Sequence, residues 1–356
     1  MARLPGNSEG DGMFETFGTM PSGEPVHRVT LDNGQIRIRV ITYGAALQTI
    51  EVPSHDGKME NVALGLETLE DYLTTGGHLG AVPGRYAGRI ANGRFTLDGQ
   101  VYQVTVNRPP HCVHGGTTGF GKRNWTLAGH GQDFVELSLS SPDGEEGFPG
   151  TVEVVVRYAI EGAELRIDYQ ATTDRPTIIN LTNHSYFNLA GEGSGDIFDE
   201  RLTIGSDVVL PIAPDGIPTG ELLPVEATPF DFRHERRIGD CITQSHPQLV
   251  IGRGYDISYV LPGQGLRRAA FLRDPASGRT MTVLTTEPIL HFYSAGNLTG
   301  APTGISGRVY RPGDALCFEA QHPQDAPNHS DFASTTLRPD APFRATTVFQ
   351  FGVAPP

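Results

Sequence analysis

Along most of this chain apolar and polar residues alternate with a period of two, the spacing that sends successive side chains to opposite faces of a strand. In QIRIRVITYG, Ile36, Ile38 and Val40 point one way and Arg37 and Arg39 the other. The same period runs through TVEVVVRYAI at 151–160 and AELRIDYQA at 163–171, where Leu165, Ile167, Tyr169 and Ala171 oppose Glu164, Arg166, Asp168 and Gln170. RFTLDGQVYQVTV holds two such runs joined by Asp98 and Gly99, a pair that accepts the positive φ angles of a tight turn and so predicts a hairpin. A helical period shows at LETLEDYLTT, residues 66–75, with Leu66, Leu69, Tyr72 and Leu73 on one side. Few other windows support more than a turn or two of helix.

Composition agrees with this picture. The 44 Gly and 27 Pro interrupt the chain too often for long helices, while 17 Phe, 11 Tyr and many aliphatic residues can fill a sizeable core. The expected fold is all-β, a large antiparallel β-sandwich with few short helices. Residues 1–24, rich in Gly, Ser, Pro and Glu, read as a flexible lead-in. No linker or repeat divides the rest, so residues 25–356 are expected to form a single β-sandwich catalytic domain.

A formal net charge of −14, with no block of Lys or Arg, disfavours nucleic acid and anionic membrane surfaces as partners. The amino terminus has no apolar run resembling a signal peptide, and no stretch reaches the roughly 18 consecutive apolar residues that would span a membrane. Cys112, Cys241 and Cys317 form neither an even disulfide set nor a paired metal motif, which suits buried thiols in a reducing compartment. A cytoplasmic location is expected.

The chemistry concentrates in a few stretches. In TIINLTNHSYFNLAG, residues 177–191, strand alternation sets Asn180, Thr182, His184, Tyr186 and Asn188 on one face and Ile179, Leu181, Phe187 and Leu189 on the other. A dry face with so many donors and acceptors would cost about 1–3 kcal/mol per unsatisfied group, so this face is expected to line a hydrated cleft for a hydroxyl-rich ligand. An edge strand facing solvent is the plainer alternative. In ALCFEAQHPQDAPNH, Glu319 projects opposite Leu316, Phe318 and Ala320, either as a partly desolvated proton acceptor or as a surface carboxylate. HCVHGGTTGFGKRNW presents His111 and His114 before Gly115 and Gly116, a loop in which backbone could approach a ligand. Its His-x-x-His spacing lacks the further ligands of a metal site, and no metal is expected. GRYAGRIANGRF supplies Arg85, Arg89, Asn92 and Arg94, any of which could hold a hydroxyl or stay solvated. Asp256 follows a glycine-rich turn and could cap it or bind ligand. No phosphate-binding loop, dinucleotide fingerprint or Gly-x-Ser-x-Gly elbow accompanies these residues. Acid/base chemistry on a polar, uncharged molecule is what remains.

The strings NLTNHSYFNLAG, HGGTTGFGKRNW, SPDGEEGFPG, GRGYD and FEAQHPQDAPNH stand in the order seen in aldose 1-epimerases, also called galactose mutarotases. The resemblance covers about residues 25–352 and implies that family's supersandwich, with an open cleft on one sheet. It implies that Glu319 is the general base and His184 the general acid in opening and closing the ring of a free aldose. His114 then lies beside the sugar ring, and Arg89 and Asp256 bind the sugar. Neither metal nor cofactor is implied, and the partner is a monosaccharide met by a monomer or homodimer. Two departures fall among the sugar contacts. Gly88 stands where Asn commonly precedes the arginine, which implies one hydroxyl contact fewer, and His291 stands where Gln is common. Tyr186 completes the candidate substrate contacts. The rival readings are a non-catalytic sugar sensor and a sugar-phosphate epimerase, the latter requiring a clustered basic pocket.

Overall fold

The computed structural model describes residues 14–75, 78–298 and 303–354. Five strands, Phe14–Thr19, Pro25–Asp32, Arg37–Ile41, Ala46–Pro53 and Met59–Asn61, pair in chain order as an antiparallel meander. Nine form the largest sheet, in spatial order Thr126–His130, Phe134–Ser141, Val152–Glu161, Glu164–Thr173, Phe343–Val353, Arg279–Thr285, Arg267–Arg273, Arg201–Ile204 and Arg236–Arg237. A second five-stranded sheet, the cleft sheet, runs Leu223–Pro224, Val208–Leu210, Asp256–Val260, Ile289–Tyr293 and Cys317–Gln321.

Alternation sets the register. Val154, Val156 and Tyr158 pair with Ala171, Tyr169 and Ile167, so both strands turn their apolar rows to the same buried face. A slip by one residue would turn that row to solvent. The hairpin at Asp98 and Gly99 forms with φ of +50° and +80° and pairs Leu97 with Gln100. The predicted helix is shorter than its pattern, Leu69–Thr74, because the Thr68 hydroxyl caps it by accepting from the Asp71 N–H. One apolar core joins the three sheets, with Val29 and Leu47 from the meander, Val156, Met281 and Phe349 from the large sheet, and Ile257, Phe292 and Phe318 from the cleft sheet.

Two expectations need correcting. Phe14–Thr19, placed within the loose lead-in, is an edge strand paired from Phe14 with Val29 to Thr19 with Pro25, and its Phe17 ring packs near Tyr72. Aromatic residues give this piece something to bury that the Gly- and Ser-rich sequence before it lacks, and residues 1–13 lie outside the described residues. Within 177–191, Thr177–Ile178 is the one formal strand; beyond it an extended segment makes single bridges such as Tyr86 with Asn180 and Phe187 with Leu316. Its apolar side enters the core as expected. Its polar side is mostly dry: the Asn180 amide donates to Ala87 O at 3.0 Å and accepts from His322 N at 2.9 Å. Asn188 donates to Gly195 O at 2.8 Å and Asp314 O at 2.9 Å. These amides stitch loops together, each with its partners supplied by protein backbone.

Among the described residues no helix is long and apolar enough to cross a membrane. All three cysteines are buried free thiols.

Candidate active site

The cleft sheet is apolar toward the core, so its other face is available for polar groups. Asp256 and Ser258, His291 and Tyr293, and Cys317 and Glu319 occupy that face, and the register sets His291 between Ser258 and Glu319. Loops and a two-residue strand, Arg89–Ile90, deliver the rest. Gly88, Arg89, His114, His184, Tyr186, Asp256, His291 and Glu319 all line one cleft of about 420 Å³.

Two imidazole–carboxylate pairs form its floor. His184 Nε2 lies 3.5 Å from Glu319 Oε1, with both side chains almost fully buried. His184 stacks on Tyr186, centroids 4.9 Å apart, and its Nδ1 lies 3.5 Å from Cys317 Sγ. Burial, with Glu319 beside it, pushes the Cys317 thiol well above its ordinary range and keeps its proton on sulfur. Burial likewise holds the Tyr186 phenol protonated. In the second pair His291 Nε2 donates to Asp256 Oδ1 at 2.9 Å while Nδ1 meets Ser258 Oγ at 2.9 Å. Burial alone would lower His291, but the hydrogen bond and charge of Asp256, with Glu319 nearby, hold it above its ordinary value. Burial would raise Asp256, yet His291, Arg89 and His184 together hold it below.

His114 is a different kind of imidazole. Its Nδ1 accepts from Gly88 N–H at 3.1 Å, so the ring proton of the neutral form resides on Nε2. Burial first, then neighbouring His78 and His184, keep it neutral by lowering its pKa well below the usual value. His78, 4.7 Å from His114 between ring centroids, is pushed down to about 3, chiefly by burial. Arg89 contacts Gln324 Oε1 through both its backbone N and Nη1, each at 3.1 Å.

Several residues singled out beside these serve the scaffold. Arg85 is buried and gives its guanidinium to the carbonyls of Ser141, Pro149 and Gly150, so the SPDGEEGFPG string wraps an arginine rather than a ligand. Arg94 is exposed. His111 accepts from Asn92 N at 3.1 Å and lies 3.3 Å from Asp215, away from the cleft. Gly115 and Gly116 approach protein instead of ligand: a Cβ would lie 1.9 Å from Gly84 O at the first and 2.3 Å from Glu146 Oε2 at the second. Glu146 in turn accepts from Thr118 N at 2.7 Å, tying the two glycine-rich strings together. Among the described residues no group of three or more His, Cys, Asp or Glu could hold a metal ion.

Sequence reasoning missed His78, Ser258, Tyr293 and Gln324. Alternation with Asp256 and His291 could have found Ser258 and Tyr293. His78 and Gln324 sit in irregular segments with no periodic signal.

Comparison with known proteins places the chain in a family. The aldose 1-epimerase family model matches residues 27–350. Galactose mutarotase of Rattus norvegicus is 41% identical over 342 residues, 95% of this chain and 98% of the relative. Aldose 1-epimerase of Escherichia coli is 35% identical over 343 residues, again 95% and 98%. Among solved structures, galactose 1-epimerase from Lactobacillus acidophilus superimposes with a TM-score of 0.84 at 28% identity, covering 96% of this chain and 98% of that one. An aldose epimerase homologue from C. elegans gives 0.85 at 26% identity, covering 92% and 99%. With the family model and the curated relatives matching along nearly its whole length, and the fold in agreement, the chain belongs to the aldose 1-epimerase family.

Proposed function

We propose that the protein interconverts the α and β anomers of a free aldose, with Glu319 as general base and His184 as general acid. The observation that carries this reading is the 3.5 Å approach of His184 Nε2 to Glu319 Oε1 at the floor of a cleft lined with polar groups. In a cyclic hemiacetal the anomeric hydroxyl and the ring oxygen share one carbon, so an acid and a base acting on them must converge in this way. Glu319 takes the hydroxyl proton while His184 protonates the ring oxygen; the C1–ring oxygen bond breaks and a carbonyl forms. After rotation about C1–C2 the freed hydroxyl attacks the other carbonyl face, His184 recovers its proton, and Glu319 returns the other to the new anomeric oxygen.

His114, neutral with its proton on Nε2, is suited to donate a hydrogen bond to a ring substituent or oxygen. Arg89 and the Asp256–His291 pair supply further donors and acceptors for hydroxyls. Proton transfer by two side chains is sufficient chemistry for ring opening, so the reaction is assigned no cofactor. We take residues 25–356, with the Phe14–Thr19 strand paired onto them, to act as one catalytic domain, a monomer or homodimer in the cytoplasm.

A second reading concerns the substrate's charge. Arg89, Arg108 and Lys122 line the cleft together with the carboxylates of Asp256 and Glu319, so its charges nearly balance and suit a neutral aldose, while the three cations make an aldose bearing a carboxylate or phosphate the second substrate class to test. Polarimetry or NMR of freshly dissolved single anomers tests both readings, using galactose, glucose, a pentose, a uronic acid and a hexose 6-phosphate. Acceleration with at least one sugar is expected. Unchanged spontaneous rates for every sugar, with binding retained, would turn the assignment to a sensor.

A further inference from the structure

We infer that Gln324 is a specificity-determining residue, its side-chain amide donating a hydrogen bond to one hydroxyl of the bound sugar, in space that Gly88 leaves open. This rests on the aldose reading above and extends it to a residue outside the acid/base pair.

Gln324 is 4% exposed and lines the cleft. Its Oε1 receives two N–H groups of Arg89, at 3.1 Å each. Arginine offers donors and no acceptor, so the amide orientation follows from chemistry: oxygen toward Arg89, NH₂ away from it. Among the described residues that NH₂ finds no acceptor; it is not one of the buried unpartnered polar atoms, so it opens onto the cleft, where a ligand hydroxyl or water can supply the lone pair.

The side chain is also held in place before any ligand arrives. Pro323 O accepts from the Tyr86 hydroxyl at 3.1 Å. Asp325 N donates to Arg89 O at 2.8 Å, and Asp325 Oδ1 accepts from Ala91 N at 2.9 Å. The loop is thereby clamped along the 86–91 segment on both sides of Gln324, and a donor fixed in this way loses little entropy on binding. Gly88 completes the arrangement. At φ +80° a Cβ there would lie 2.5 Å from Gln324 Cγ, so any side chain at 88 and the observed position of Gln324 compete for one space. The hydroxyl contact that Gly88 cannot make is supplied from residue 324.

The test measures sugar affinity by calorimetry and anomer exchange by NMR for the wild type, Gln324→Met, Gln324→Glu and Gly88→Ala, across aldoses and their monodeoxy derivatives. Gln324→Met should weaken Kd and KM about tenfold, the size of one hydrogen bond to a sugar, with kcat changed less than about twofold. Gln324→Glu keeps an oxygen for Arg89 but removes the donor, so it should lose affinity too, whereas a residue that merely holds Arg89 would tolerate it. Gly88→Ala should weaken affinity in the same direction by displacing Gln324. For one deoxy sugar, the one lacking the partner hydroxyl, wild type and Gln324→Met should bind alike. Wild-type affinity in Gln324→Glu, or an equal loss on every deoxy sugar, overturns the inference. Because affinity is read separately from turnover, a protein that binds sugars through Gln324 without accelerating any anomer would defeat the proposed catalysis and leave this assignment standing.

Discussion

Phe318 and Glu319 are adjacent in the chain and both buried, 1% and 3% exposed, yet they belong to opposite regions of the molecule. Phe318 packs in the core, its ring 5.7 Å from that of Phe292, whereas Glu319 meets His184 on the other side of the same strand. Burial has opposite signs in the two places. An apolar ring gains from leaving water, while a carboxylate loses hydration that a partner must replace. The core face of the cleft sheet therefore holds the backbone rigid, and the cleft face uses that rigidity to keep desolvated polar groups within reach of one another. Stability and turnover should accordingly separate between neighbouring positions.

The largest effect expected is on turnover. Glu319→Gln should lower kcat by about 10²–10⁴, the usual worth of one general base, with a smaller change in thermal stability because the amide keeps a polar oxygen facing His184; polarimetry and thermal melts together check this. Phe318→Ala should do the reverse, costing about 3–5 kcal/mol in denaturant titrations while the folded fraction keeps far more activity than Glu319→Gln.

Arg85 and Arg89 sharpen the same contrast within one short segment. Removing Arg85 leaves buried carbonyls of Ser141, Pro149 and Gly150 without a donor, so Arg85→Met should destabilise by about 3 kcal/mol. Arg89→Met should leave the melting temperature nearly unchanged and raise KM. The smallest effect concerns His291. Its folded pKa is raised, so its contribution is complete below the unfolded value near 6.5 and is lost as pH rises through the folded value. Asp256, held low by the same pairing, keeps its contribution until strongly acid pH. His291→Gln should thus be less stable than wild type near pH 5–6, with the gap in melting temperature closing as pH rises past the folded value.

Much of the fold could be read from local pattern because strand alternation is a property of the backbone itself. Residues 152–173 show it, as does the Asp98–Gly99 turn. The same parity set Glu319 apart from Phe318 and His184 apart from Phe187. Pattern was less informative where polar residues are dry. Asn180 and Asn188 share the parity of His184, but they are satisfied by backbone groups such as His322 N, 142 residues away, and never reach the cleft.

The sequence by itself determined the strand period, the two faces of each strand and, through the match of its motifs to a known family, which carboxylate and imidazole to examine. Tertiary structure decided which polar positions meet. Residues 89, 114, 184, 256, 291 and 319 converge from separate segments, and the difference between Arg85 and Arg89, or His111 and His114, lies in what the rest of the chain packs around them. The physical reason is range: alternation follows from torsion angles within a few residues, whereas hydration, pairing and proton affinity depend on partners that only folding brings close.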